Sequence, residues 1–301
     1  MHNRQTLARE AEVRGVGLHS GAKVRMRLLP AEAGAGILFL RTDHPEVEIP
    51  ATLDHTGPSF YATVLQKDGV AVSTVEHLMA ALYALQVDDL RVEIDGPEVP
   101  ILDGSSRPFV EAILAAGTVE HPVPRLYLTV VRPVVVTLDE KRIGVYPCRE
   151  YRVTYAIEFP HPGLGYQELT LSIWGADAFA EKLSPARTFT FEGEVEALRK
   201  AGLARGGSLE NAVVVGANGL LNEGGLRFPD EFVRHKMLDL TGDLSLLGRP
   251  LRGHVVAYRA GHDLHGRLAR RILERTDCWF LAPWSEEVPG TVSGGELPLV
   301  G

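Results

Sequence analysis

Along the first third of the chain, short apolar runs and alternating stretches are broken by Gly and Pro, a pattern that predicts strands joined by turns. Lys23 to Leu29 largely alternates, and Ile37 to Leu40 is a brief apolar run. From Ser73 to about Gln86 the period changes. Apolar residues there cover nearly every side of a helical wheel, so this helix is expected to be buried. Leu90 to Ile94 reads as a strand ended by Asp95-Gly96-Pro97. A second helix is predicted from Pro108, a favoured first-turn residue, to near Gly117.

His121-Pro122-Val123-Pro124 reads as a linker, and strands resume with Leu126 to Val131, Val134 to Leu138 and Arg152 to Phe159. Helices are predicted from about Gly193 to Lys200, from after Pro229 to Leu247 and from about His265 to Thr276, with a strand at Gly253 to Arg259. The stretch from Pro283 onward is rich in Gly, Pro and Glu and is expected to be poorly ordered. One internal echo stands out. Val75-Glu76-His77-Leu78-Met79 and Val233-Arg234-His235-Lys236-Met237 each place a histidine at the same point of a helix that leads into a strand. The echo suggests an α+β fold of two related halves with a cleft between them.

The length of 301 residues agrees, being about twice a common domain. Composition, 45% hydrophobic and 23% charged, is that of a globular protein. The net charge of -8 argues against a broad nucleic-acid surface, which needs clustered Lys and Arg, while a small anionic ligand needs only a local cluster. Cys148 and Cys278 are far apart, which excludes a disulfide scaffold and makes a thiolate zinc site a poor fit. The charged N-terminal residues lack a signal-peptide core, and no apolar run is long enough to span a bilayer. A soluble cytoplasmic protein is expected.

Candidate chemistry concentrates on two helices. On the one following Pro229, Val233, Met237, Leu240, Leu244 and Leu247 form the core stripe, while His235, Asp239 and Asp243 recur every four residues along another line. A solvated polar stripe would look the same, but a His and a carboxylate at this spacing also converge on one metal ion. On the helix 73–86, His77 lies among Ala80, Ala81 and Ala84, a small-residue face that another helix can approach closely. A buried imidazole needs a partner, which is either an ordinary hydrogen bond in the core or a metal ion. With His235 and Asp239 it completes a two-imidazole, one-carboxylate set that leaves a fourth position open, a common catalytic zinc arrangement. Ligand type admits Zn²⁺ and Fe²⁺ alike. Glu76 has two readings of equal weight: the last member of a capping box Ser73-Thr74-Val75-Glu76, or a base beside the ligand. His262, just past a predicted strand end, suits an oxyanion donor and general acid, with Asp243 holding it charged; a plain surface histidine is its rival.

Six runs then resemble one family: Gly15-Val16-Gly17-Leu18-His19-Ser20-Gly21, Ser73-Thr74-Val75-Glu76-His77-Leu78, Leu102-Asp103-Gly104-Ser105, Ala186-Arg187-Thr188-Phe189, Gly225-Leu226-Arg227-Phe228 and Phe232-Val233-Arg234-His235-Lys236-Met237-Leu238-Asp239. In this order, over about residues 4 to 275, they are similar to the UDP-3-O-acyl-N-acetylglucosamine deacetylases, the committed enzymes of lipid A synthesis. The resemblance implies two domains, each layering β-sheet against α-helices, with the active site between them: residues 1–122, residues 126–276 with an acyl-chain passage insert at about 189–215, and a tail 277–301 of unassigned role.

It also implies roles: His77, His235 and Asp239 as zinc ligands, Glu76 as general base, His262 as acid and oxyanion partner, Asp243 as its orienter and Thr188 as oxyanion donor. Lys236 would contact sugar or diphosphate, with His19 and Phe189 also at the substrate. Val195, Leu198, Gly207 and Val214 are candidate walls of the acyl passage, and ordinary helix core is their alternative. Phe159 and His161 lie in a segment comparable to a uridine site. Arg259 stands where the family often has Lys, so it offers phosphate a planar fork in place of a point charge. The implied partner is a small UDP-acyl-sugar, with at most peripheral membrane contact, and the implied state is a monomer. Rival readings are a nucleotide-sugar binding protein without turnover, a structural metal site and an amidase for another acylated sugar.

Overall fold

Period-2 and period-3.6 patterns sort the chain into two large sheets and the helices laid on them. The computed structural model describes residues 2–58, 61–161, 163–173 and 176–285. Strand Lys23–Pro30 buries Val24, Met26 and Leu28 and turns Lys23 and Arg25 outward, as alternation demands. It lies in a five-stranded sheet ordered Ala11–Val16, Lys23–Pro30, Leu90–Ile94, Ile37–Arg41, Glu48–Pro50. The second sheet has seven strands, with Leu251–Tyr258 near its centre.

The echo between the halves is topological. Leu90–Ile94 runs antiparallel to Lys23–Pro30 and parallel to Ile37–Arg41. Leu251–Tyr258 likewise has an antiparallel neighbour, Lys141–Tyr146, and a parallel one, Tyr151–Phe159. Each of these strands follows a buried helix. The first half contributes α1 (Glu76–Ala84) and α2 (Arg107–Ala116). The second contributes α3 (Ala176–Lys182), α4 (Glu192–Lys200), α5 (Glu231–Ser245) and α6 (His262–Glu274). Helices α1 and α5 pack on each other, and one cluster of buried apolar residues takes in both sheets and both helices. The fold is therefore α+β, two sheet-and-helix layers meeting at the α1–α5 contact, and we propose the domain division near residues 122–126. No helix among the described residues is long and apolar enough to cross a membrane.

Several local expectations are revised. Ser73 does not start a helix: it ends strand Val70–Ser73, Thr74 follows at φ 58°, and Val75 is the N-cap without a side-chain capping bond. The capping box thus does not form. His121-Pro122-Val123-Pro124 is no bare linker, since strand Thr118–Pro124 pairs with Asn3–Leu7. Helix α6 begins at His262, three residues earlier than expected. His77 stands in the first turn of its helix and His235 in the second turn of its own, so the echo is not in register. In the unassigned tail, strand Trp279–Pro283 pairs with Leu126–Val130 and belongs to the second sheet. The poor order expected of the tail falls on residues 286–301, which lie outside the described residues.

Candidate active site

Helices α1 and α5 cross at Gly242, where a β-carbon would stand 2.1 Å from the backbone oxygen of Glu76. This close approach brings His77 to the line of His235 and Asp239. The Nε2 atoms of His77 and His235 lie 3.6 and 3.3 Å from Asp239 Oδ1, with the two rings perpendicular and 5.0 Å apart. Donors bound to one tetrahedral ion at 2.0–2.1 Å lie roughly 3.3 Å from each other, so the set fits a divalent cation. Asp239 Oδ1 is buried and has no hydrogen-bond partner among the described residues, a costly state that a cation relieves. The other oxygen accepts from Lys236 Nζ at 3.0 Å. His235 Nδ1 is 3.1 Å from the Ala186 carbonyl and donates to it, which leaves the Nε2 lone pair for a metal. Burial lowers His235 to about 4, so its ring is neutral.

Glu76 opens α1 and is buried; its Oε2 accepts from the Thr63 backbone N–H at 3.0 Å. Burial raises its pKa, against the opposing pull of His262 and His77. His262, at the start of α6, donates from Nδ1 to Asp243 Oδ2 at 2.8 Å. Burial would lower His262, but the Asp243 carboxylate outweighs it and lifts the imidazole to about 9. Asp243 in turn is held well below the usual carboxylate range, burial being overcome by His262 and His265. One acid is thus kept charged beside one carboxylate with raised basicity.

A buried ion pair locks one loop to α5, and further bonds tie the neighbouring loops together. Arg187 holds Glu231, the first residue of α5, through Nε at 2.8 Å and Nη2 at 3.1 Å. This pairing fixes the Ala186 carbonyl against His235. Thr188 donates its N–H to the Gly104 carbonyl at 2.8 Å, and Arg227 Nη1 pairs with Asp103 at 2.9 Å. Glu98, fully buried, accepts from Thr74 Oγ1 and from the N–H groups of His19 and Ser20, so it sets the turn that carries Leu18 and His19.

A cavity of about 320 Å³ is lined by Glu76, His77, His235, Asp239 and His262 with Thr188, Phe189, Lys236 and His19. A second, about 600 Å³, shares His19, Thr188 and Phe189 with it and continues between Val195, Leu198, Gly207 and Val214. Asp243 sits behind His262 on a smaller cavity of about 200 Å³. Three of the residues singled out in the sequence lie elsewhere. Arg259 Nη1 pairs with Glu140 at 3.1 Å, and Phe159 stacks edge-on against Phe189 at 5.9 Å; neither lines these two connected cavities. His161 rests on Phe191.

Sequence reading missed several residues at the site. Tyr61, Leu18 and Lys141 line the smaller of the two connected cavities. Thr63 hydrogen-bonds Asp243 through its hydroxyl, and fully buried His265 bonds the same carboxylate. For Thr63 there was no local signal. His265 carried one, since it follows His262 by three residues and so shares its helix face.

The chain's residues 4–274 match the family model described as UDP-3-O-acyl N-acetylglycosamine deacetylase. It is similar to proteins named UDP-3-O-acyl-N-acetylglucosamine deacetylase. The Myxococcus xanthus protein is 48% identical over 94% of this chain and 90% of its own length. That of Syntrophotalea carbinolica is 45% identical over 98% and 94%, and that of Geotalea uraniireducens 48% over 92% and 90%.

Proposed function

Because this chain belongs to the UDP-3-O-acyl N-acetylglycosamine deacetylase family, we propose that it hydrolyses the 2-acetamido group of UDP-3-O-(3-hydroxyacyl)-N-acetylglucosamine, giving acetate and a free amine, the committed step of lipid A synthesis. The observation that carries this reading is the convergence of His77, His235 and Asp239 in one cavity with Glu76 and the Asp243-bound His262.

His77, His235 and Asp239 would hold a Zn²⁺ or Fe²⁺ ion, which would supply Lewis acidity toward the amide carbonyl and toward water. Glu76, as carboxylate, takes a proton from the attacking water as the C–O bond forms at the acetyl carbon. Charge developing on the acetyl oxygen meets the Thr188 hydroxyl and the His262 N–H. Protonated His262 then gives its proton to the sugar nitrogen as the C–N bond breaks. Asp243 keeps that imidazole charged and turned toward the cavity.

Lys236, whose Nζ lies 5.7 Å over the Phe189 ring, is assigned to the sugar or diphosphate, with His19 and Phe189 beside it. The larger cavity suits the acyl chain, with Val195, Leu198, Gly207 and Val214 as its walls. Arg259, Phe159 and His161 are assigned to more distal nucleotide contacts. Our reading takes the enzyme as a cytoplasmic monomer with at most peripheral membrane contact.

The test is acetate release from UDP-3-O-(3-hydroxymyristoyl)-N-acetylglucosamine by purified protein, before and after chelation and return of zinc. Release that chelation abolishes and zinc restores supports both metal and reaction. No release from metal-loaded protein would sink the proposal.

A further inference from the structure

Asp243 is held at three points. Its Oδ2 lies 2.8 Å from His262 Nδ1 and 2.8 Å from His265 Nδ1, and its Oδ1 accepts from the Thr63 hydroxyl. His265 is fully buried and lines neither of the two connected cavities, so it has no route to substrate. Its other nitrogen, Nε2, is 3.0 Å from the Tyr155 hydroxyl. The two ends assign the tautomer. Nδ1–H donates to the carboxylate, and Nε2 accepts from Tyr155, itself buried in the second sheet.

This arrangement has a mechanical consequence. With His262 on Oδ2 and Thr63 on Oδ1 as its bonds, the carboxylate can still tilt about the line through those two oxygens and carry the imidazole with it. A second N–H on Oδ2, from a fully buried ring on α6, removes that freedom, and Tyr155 sets which nitrogen of that ring carries the proton. We infer that His265 is a positioning residue, acting through Asp243 to fix the direction in which His262 presents its Nε2 to the cavity. The inference rests on the proposed role of His262 as the acid.

Two amides separate the contacts. The nitrogen of an asparagine side chain falls near the place of histidine Nδ1, and that of glutamine near Nε2. His265→Asn therefore keeps the donor to Asp243 and loses Tyr155, whereas His265→Gln does the reverse. We expect His265→Gln to lower kcat by about tenfold or more, with KM and bound metal within about twofold of wild type. His265→Asn is expected to recover kcat to within about threefold. If His265→Gln does not fold, the double substitution His265→Met with Tyr155→Phe replaces it, since removing both partners of a buried bond leaves no orphan. Equal losses in the Asn and Gln variants, with equal falls in melting temperature, would mean that His265 only fills space and would overturn the inference, as would full activity in both. His262→Gln is measured alongside. Turnover retained there would overturn the acid assignment, and this inference with it; turnover lost there while the two His265 variants behave alike would overturn this inference alone.

Discussion

The backbone oxygen of Glu76 occupies almost the place that a β-carbon on Gly242 would take, 2.1 Å from it. Two helices from opposite halves of the chain therefore touch backbone to backbone, and the crossing lies beside Glu76, His77, Asp239 and Asp243. The distance between the two ligand-bearing helices is set by the absence of one methyl group.

Gly242→Ala tests that relationship. Neither backbone can yield without moving the other, so we expect a loss of about 1–3 kcal/mol of stability in urea denaturation. Metal content and turnover should fall as well, since His77 is pushed away from Asp239.

Glu76→Gln and Asp239→Ala should separate base from ligand. Glu76→Gln is expected to retain metal while turnover drops about 10²- to 10⁴-fold. Asp239→Ala should lose both metal and turnover. A loss in Glu76→Gln limited to about 1 kcal/mol of stability would be a helix-end effect and would contradict the base assignment.

The pH profile follows from His262. An acid at about 9 stays protonated through neutral pH, so kcat/KM should fall on the alkaline side as pH passes about 9. Because the folded value lies above the ordinary 6.5, the charged form contributes stability that is full below about 6.5 and lost as pH rises through about 9. In Asp243→Asn burial acts with less opposition, and the alkaline limb should move down toward neutrality. A limb that stays in place would detach it from His262.

Leu198→Trp narrows the larger cavity without touching the proposed chemistry. KM for a myristoyl substrate should rise about tenfold or more, while a short-chain substrate changes by less than about threefold. Equal effects on both would remove the acyl chain from this cavity.

Arg187→Leu leaves Glu231 buried at the start of α5 without its counter-ion, held only by the backbone N–H groups of residue 187 and Arg227. Such a loss costs about 3–5 kcal/mol. Because Ala186 precedes Arg187 and carries the carbonyl that orients His235, metal affinity should weaken by about tenfold or more. Chemical denaturation and metal titration together check this.

Much of this site was written in local spacing. Four-residue steps put His235, Asp239 and Asp243 on one line of α5 because 3.6 residues make a turn. The alanines around His77 marked a face fit for close approach, and α1 is buried there. Strand Val134–Leu138 and the helix starting at Glu192 could be read from period and punctuation to within a residue. These features depend on backbone geometry over a few residues, which sequence encodes directly.

What lay beyond the sequence depends on which distant segments meet. The Ser73-to-Glu76 run has the composition of a capping box, but pairing of Val70–Ser73 with Val64–Lys67 draws Ser73 into a strand and leaves Glu76 free to accept from Thr63. Thr63 and Asp243 are 180 residues apart, and Tyr155 and His265 are 110 apart, so neither bond leaves a periodic trace. Arg259 turns to Glu140, and Trp279–Pro283 finds its partner strand, for the same reason. Sequence period determines which face a side chain is on; only the packing of remote elements decides what stands opposite it.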